Sequence, residues 1–203
     1  MRTPKLIVIS APSGSGKTTI AREILRRHPD LCFSVSATTR PKRSSEIDGK
    51  DYFFLTKEEF ERRVKNNELV EWEEIYGNYY GSLRNEIDRA LSAGISVLFD
   101  IDVKGALSIQ QQYPHDAVLI FIKPPSMETL TARLTDRQTE DQETIRCRLE
   151  RVPMEMAAAN KFDASIINDE LQHAIKQVDE IVRKALTATV QMHDQRDNNN
   201  TKE

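Results

Sequence analysis

Apolar residues recur along this chain in two rhythms. Short unbroken runs at 5–10, 95–100 and 117–122 have the length and β-branching of strands buried on both faces, and 165–167 reads as a fourth. Between them the spacing widens to three and four. Ile20, Ala21, Ile24 and Leu25 predict a helix over 18–27, closed by His28-Pro29. Further helices are expected at 83–91, 103–113, 126–134, 144–159 and 170–185. Strands alternating with helices predict an α/β fold with a parallel sheet covered on both faces. From 31 to 82 the rhythm changes. Strands are expected at 31–38, 51–56 and 69–75, with one helix from 57 to 64 behind the capping box Thr56-Lys-Glu-Glu59. This stretch reads as an inserted, mostly-β lobe. Trp72 is expected to pack in its core.

Composition narrows the function. The 203 residues carry 29 Lys and Arg against 32 Asp and Glu, a net charge of -3. That balance argues against a general nucleic-acid or anionic-membrane binder. The longest apolar run, 117–122, is far too short to span a bilayer. Two cysteines make neither a disulfide framework nor a zinc site, and the chain reads as cytoplasmic. All seven glycines lie at or before residue 105, which places the ligand loops in the first half.

The segment Ala11-Pro12-Ser13-Gly14-Ser15-Gly16-Lys17-Thr18 stands between a buried strand and a helix. This is the setting of a phosphate loop. Successive N–H groups form a nest, and the helix N-terminus adds partial positive charge. Lys17 would reach the β- and γ-phosphates of ATP, and the Thr18 hydroxyl would ligate Mg²⁺. Asp100, ending a hydrophobic strand, is placed to hold Mg²⁺ directly or through water. A helix-capping role is open to Asp100, and equally to Asp102.

A second anion site is expected in the inserted lobe. Arg40 and Arg43 flank Pro41-Lys42, and arginine forks bind phosphate bidentately. Tyr52 and Tyr80 could complete a monophosphate cage. Glu71 alternates with apolar neighbours, and an inward carboxylate needs partners. Guanine supplies two, its N1–H and 2-amino group, whereas adenine supplies neither. Two charge-assisted bonds of about 1.5–3 kcal/mol each would discriminate roughly 10²–10⁴-fold. Ser36 and Ser82 could read the remaining base edge.

Taken together, these segments resemble the guanylate kinase family, which phosphorylates GMP with ATP. The resemblance spans about 5–185 and includes Ser36-Ala-Thr-Thr-Arg40-Pro-Lys-Arg43, Gly49-Lys-Asp-Tyr52, Val70-Glu71-Trp72, Gly77-Asn-Tyr-Tyr80-Gly-Ser82 and Asp100-Ile-Asp102-Val-Lys-Gly105. It implies a P-loop core (1–32, 95–130 and 160–190), a GMP-binding lobe (33–94), a mobile helical lid (131–159) and a disordered tail from 191. It adds Asp102 to the GMP site, Asn168 to the ATP site, and Arg137 and Arg148 as contacts to the transferring phosphate beside Lys17 and Arg40. The implied substrates are ATP and GMP or dGMP, with Mg²⁺, on a monomer or homodimer. Departures are Ala11 for glycine, Lys104 where glutamine is frequent and Gln138 where the lid often has glycine. The alternatives are a non-catalytic phosphopeptide-binding module on this scaffold, which the intact Gly16-Lys17-Thr18 disfavours, and another small-phosphate kinase.

Overall fold

Chain order alternates strands and helices around one buried parallel sheet. A computed structural model describes residues 3–75, 77–135 and 142–187. Strand β1 (Leu6–Ser10) is fully buried and leads through the glycine loop into helix α1 (Lys17–Arg27). The expected strand at 31–38 is two. β2 (Cys32–Phe33) and β3 (Ser36–Thr38) belong to different sheets, and the chain crosses between them one residue past the expected start of the lobe. The pattern missed the break because both halves are extended. The expected strand at 51–56 shrinks to β4 (Phe53–Phe54), an edge strand whose approach is tied up by Asp48 and Asp51 carboxylates on backbone N–H groups. Helix α2 (Lys57–Lys65) starts at Thr56, whose hydroxyl accepts from the Glu59 N–H at 3.2 Å. β5 (Leu69–Ile75) and β6 (Asn78–Leu83) form a hairpin, followed by α3 (Arg84–Ser92). The pattern did not predict β6, because Asn, Tyr, Gly and Ser give no apolar rhythm. Then come β7 (Val97–Asp100), α4 (Val103–Gln112), β8 (Ala117–Lys123), α5 (Met127–Thr135), α6 (Gln142–Ala157), β9 (Ala164–Ile167) and α7 (Leu171–Thr187).

The core sheet runs β2-β7-β1-β8-β9, all parallel. Alternate residues of β1 serve its two faces. Ile7 and Ile9 pack with Ile20 and Ile24 of α1 and Ile175 and Val178 of α7. Leu6 and Val8 pack with Val103, Ala106 and Ile109 of α4 and Ile87 of α3, so α3, expected with the lobe, also buttresses the core. Each fully buried aliphatic contributes roughly 1.5–3 kcal/mol. β1 lies between β7 and β8, where the crossovers diverge, so the loop after it opens at the carboxyl edge of the sheet.

The lobe sheet runs β4-β3-β6-β5 over a small core of Ala37, Phe60, Leu69 and Leu83. Its register slips at one point. Leu69 pairs with Leu83 but Glu71 with Ser82, leaving Val70 as a bulge residue. The Val70 carbonyl is taken by Ser108 Oγ at 3.0 Å and by the Gln112 amide, both on α4. The bulge thus ties the lobe to the core and sets the face on which Glu71 emerges. Trp72, expected in the lobe core, is instead 48% exposed and meets Tyr79 edge-on. With Glu71 turned inward, the next residue of the strand faces outward.

Candidate active site

The glycine loop and the lobe sheet face each other across a cleft of ≈ 440 Å³. On the core side, Gly14 (φ 88) and Gly16 (φ 89) take left-handed conformations that bend the loop around the head of α1. A Cβ on Gly16 would lie 2.4 Å from the Asn168 amide. That amide donates to the Ser15 carbonyl at 2.7 Å, so Asn168 is buried behind the loop and braces it. Ser15 is buried beside it. Ala11, the departure from glycine, has no left-handed φ, and its methyl packs into the core. Alanine therefore fits here without strain.

Lys17 Nζ lies 2.7 Å from Asp100 Oδ1 and donates to the Ile101 carbonyl at 2.9 Å. Parallel pairing brings the end of β7 beside Ile9, just before the loop. The two carboxylates that spacing left open therefore divide. Asp100 pairs with the loop lysine, and Asp102 caps α4 by accepting from the Gly105 N–H at 2.9 Å. Arg148 of α6 crosses to the loop and donates to Ser13 Oγ. Arg137 and Gln138 lie outside the described residues, as does the tail from 191.

On the lobe side, Ser36, Tyr52, Glu71 and Tyr80 line the cleft. Glu71 is 7% exposed and accepts from Ser82 Oγ at 2.6 Å. Burial raises its carboxyl to about 7, against the opposing pull of that hydrogen bond. Tyr52 and Tyr80 rings meet edge-on at 6.2 Å. Arg40 lies over Tyr52 at 5.3 Å and is held bidentately by Glu46, so it stands behind the tyrosine. Arg43 is exposed and does not line the cleft; its backbone N–H donates to the same Glu46 carboxylate at 2.7 Å. Those hydrogen bonds, from Arg40 first, lower the Glu46 carboxyl to about 2.

Sequence reasoning missed a charged knot beside these residues. Glu73 Oε1 accepts from Arg151 of α6 at 2.9 Å and lies 3.3 Å from Lys104 Nζ. Arg151 also reaches Asp102 at 3.4 Å and Glu155 at 3.8 Å. Lys104, a departure from the family pattern, thus has a partner in Glu73. The buried Glu73 Oε2 has no hydrogen-bond donor among the described residues. Burial, then the neighbouring Glu73 carboxyl, pushes Asp102 up. Burial also opposes charge on Glu73, but the Asp102 contact and Arg151 hold it down. No local spacing could have revealed a pair 78 residues apart. Glu46, the first acid after the Arg40–Arg43 cluster, was findable.

The donor set suits Mg²⁺, a hard cation that takes few protein oxygens and fills its shell with phosphate and water. The Thr18 hydroxyl and Asp100 carboxylate stand at the loop mouth, and the described residues hold no cluster of three or more His, Cys, Asp or Glu for a softer metal. No helix among the described residues is long and apolar enough to cross a membrane.

Comparison with known proteins converges. The sequence model described as "Guanylate kinase" matches residues 3–185. A guanylate kinase of Chlorobium luteolum is 47% identical over 177 residues, covering 87% of this chain and 90% of that protein. One from Bacteroides thetaiotaomicron is 46% identical over 185 residues, 91% of each. A crystal structure of guanylate kinase from Anaplasma phagocytophilum superposes with a TM-score of 0.75 at 31% identity, covering 93% of this chain and 89% of that one.

Proposed function

The chain belongs to the guanylate kinase family, and from that premise we propose how its residues move a phosphoryl group from ATP to GMP. The protein is an ATP:GMP phosphotransferase, giving ADP and GDP. The loop amides from Ala11 to Thr18 cradle the ATP phosphates, and Lys17 neutralises the β,γ end. Asn168 acts from behind by holding the loop. Thr18 and Asp100 would hold Mg²⁺, which when bound offsets phosphate charge. Tyr52 and Tyr80 take the GMP phosphate, with Arg40 and Arg43 supplying positive charge from behind. Ser36, Glu71, Ser82 and Asp102 take the base, and dGMP fits the same contacts.

Transfer needs alignment and charge neutralisation rather than covalent help. The nucleophile is a GMP phosphate oxygen, already ionised at neutral pH, so no residue acts as general base. Arg148, seated on Ser13 at the loop, adds charge where the phosphoryl group passes; for Arg137 the role is the one the family resemblance implies. The lobe and lid close on GMP to exclude water. Two exposed free cysteines suit a reducing cytoplasm.

One observation carries the acceptor assignment. Glu71 is a buried acid that faces the phosphate loop across the cleft, with only Ser82 as its hydrogen-bond donor among the described residues. Coupled ADP release with GMP, dGMP, AMP, CMP and UMP tests it. Turnover with the two guanine nucleotides alone is expected, and Lys17→Ala abolishes it in a protein that still folds. Comparable turnover with AMP would exclude the assignment.

A further inference from the structure

Gly105 stands three residues into α4, between the two acids that the proposed function turns toward guanine, and the role inferred for it rests on that function. Its N–H donates to Asp102 Oδ1 at 2.9 Å. On its other side, Glu71 is pinned by Oε1 to Ser82 at 2.6 Å, and its second oxygen fills the space where a side chain of residue 105 would begin. A methyl there would lie 2.7 Å from Glu71 Oε2, 3.1 Å from Asp102 Oδ1 and 3.2 Å from Glu71 Cδ. The backbone gives no reason for glycine at this place. Its φ is not left-handed, and it lies within a helix, where alanine is the better helix former. Glu71 cannot step aside freely, because it is buried, anchored by Ser82 and fixed by the bulge at Val70.

We propose that Gly105 is a positioning residue whose missing side chain sets where the Glu71 carboxylate stands relative to Asp102, and so which purine the acceptor site takes. An added methyl swings Oε2 away while the Ser82 bond acts as the pivot. Guanine then loses at least one of its two carboxylate bonds. Adenine, which never had them, loses nothing. The ATP site is untouched, because residue 105 faces the acceptor side.

The test compares wild type, Gly105→Ala, Glu71→Gln and the double variant. The readouts are KM and kcat for GMP, AMP and ATP, with thermal melts. Gly105→Ala should lower kcat/KM for GMP by about 10- to 100-fold, chiefly through KM, as loss of one charge-assisted bond requires. Its ATP KM and AMP turnover should match wild type, while its melting temperature falls as the buried acid is forced aside. In the Glu71→Gln background the same alanine should change little, because the acid it displaces is already gone. If Gly105→Ala melts well below wild type, it is paired with Glu71→Asp, one methylene shorter. Recovery of the melt supports the inference, because the shorter acid clears the added methyl, and no recovery overturns it. Wild-type GMP kinetics in Gly105→Ala overturn this inference alone. So does an ATP KM that rises as far as that for GMP. Wild-type GMP kinetics in Glu71→Gln instead overturn the guanine-reading role on which it rests.

Discussion

Burial lifts the Glu71 carboxyl from its ordinary 4.5 to about 7, which makes both catalysis and stability depend on pH. Guanine presents donors, so it binds the ionised carboxylate and displaces the proton. The value of kcat/KM for GMP should therefore rise with pH through about 7, while the ATP KM stays level; a flat GMP profile between pH 6 and 8 would contradict this. Stability runs the other way. The folded state holds this proton more tightly than the unfolded chain, so Glu71 weakens the fold as pH rises from 4.5 through about 7. Glu71→Gln should melt above wild type at pH 8, by on the order of 3 kcal/mol at most, and lose that advantage near pH 4. Glu71 was legible in sequence because a charge alternated with apolar neighbours. Lys17 was legible from the glycine loop between strand and helix, and Asp100 because it ends an apolar strand. Arg151 and Glu73 were not, because they meet only after α6 folds across the lobe.

Among the elements, four strands of the core sheet could be read from short apolar runs that alternate with helical spacing. β6 escaped because its residues answer to function and backbone approach. Tyr80 and Ser82 face the acceptor site, and a Cβ on Gly81 would lie 2.7 Å from the Glu71 carbonyl. The bulge at Val70 escaped too, because its partners Ser108 and Gln112 lie on a later helix. The ion pair from α6 to β5 makes an element-scale prediction. Glu73 is 12% exposed and Arg151 30%. Arg151→Ala leaves Glu73 with the mostly exposed Lys104, and should lower unfolding free energy in urea by about 1–3 kcal/mol. Adding Glu73→Gln should restore much of that loss, because no buried charge is then unpaired. Strictly additive losses would show that the pair carries no coupling.

At the scale of the molecule, two sheets confront each other with a phosphate loop on one and a purine-reading acid on the other. With a net charge of -3, the protein as a whole does not attract nucleotides. In the proposed function, their charge is met locally by Lys17, Arg40 and Arg148. If closure keeps water from the γ-phosphate, as proposed, single-turnover ATP hydrolysis without GMP should be far slower than transfer to GMP; equal rates would refute gating. The central claim is the pairing of a guanine edge with Glu71. A crystal structure with GMP and a non-hydrolysable ATP analogue tests it most directly. The account predicts guanine N1 and N2 within about 2.6–3.2 Å of the Glu71 carboxylate, with the ATP analogue on the glycine loop. A purine ring lying away from residue 71 would contradict it.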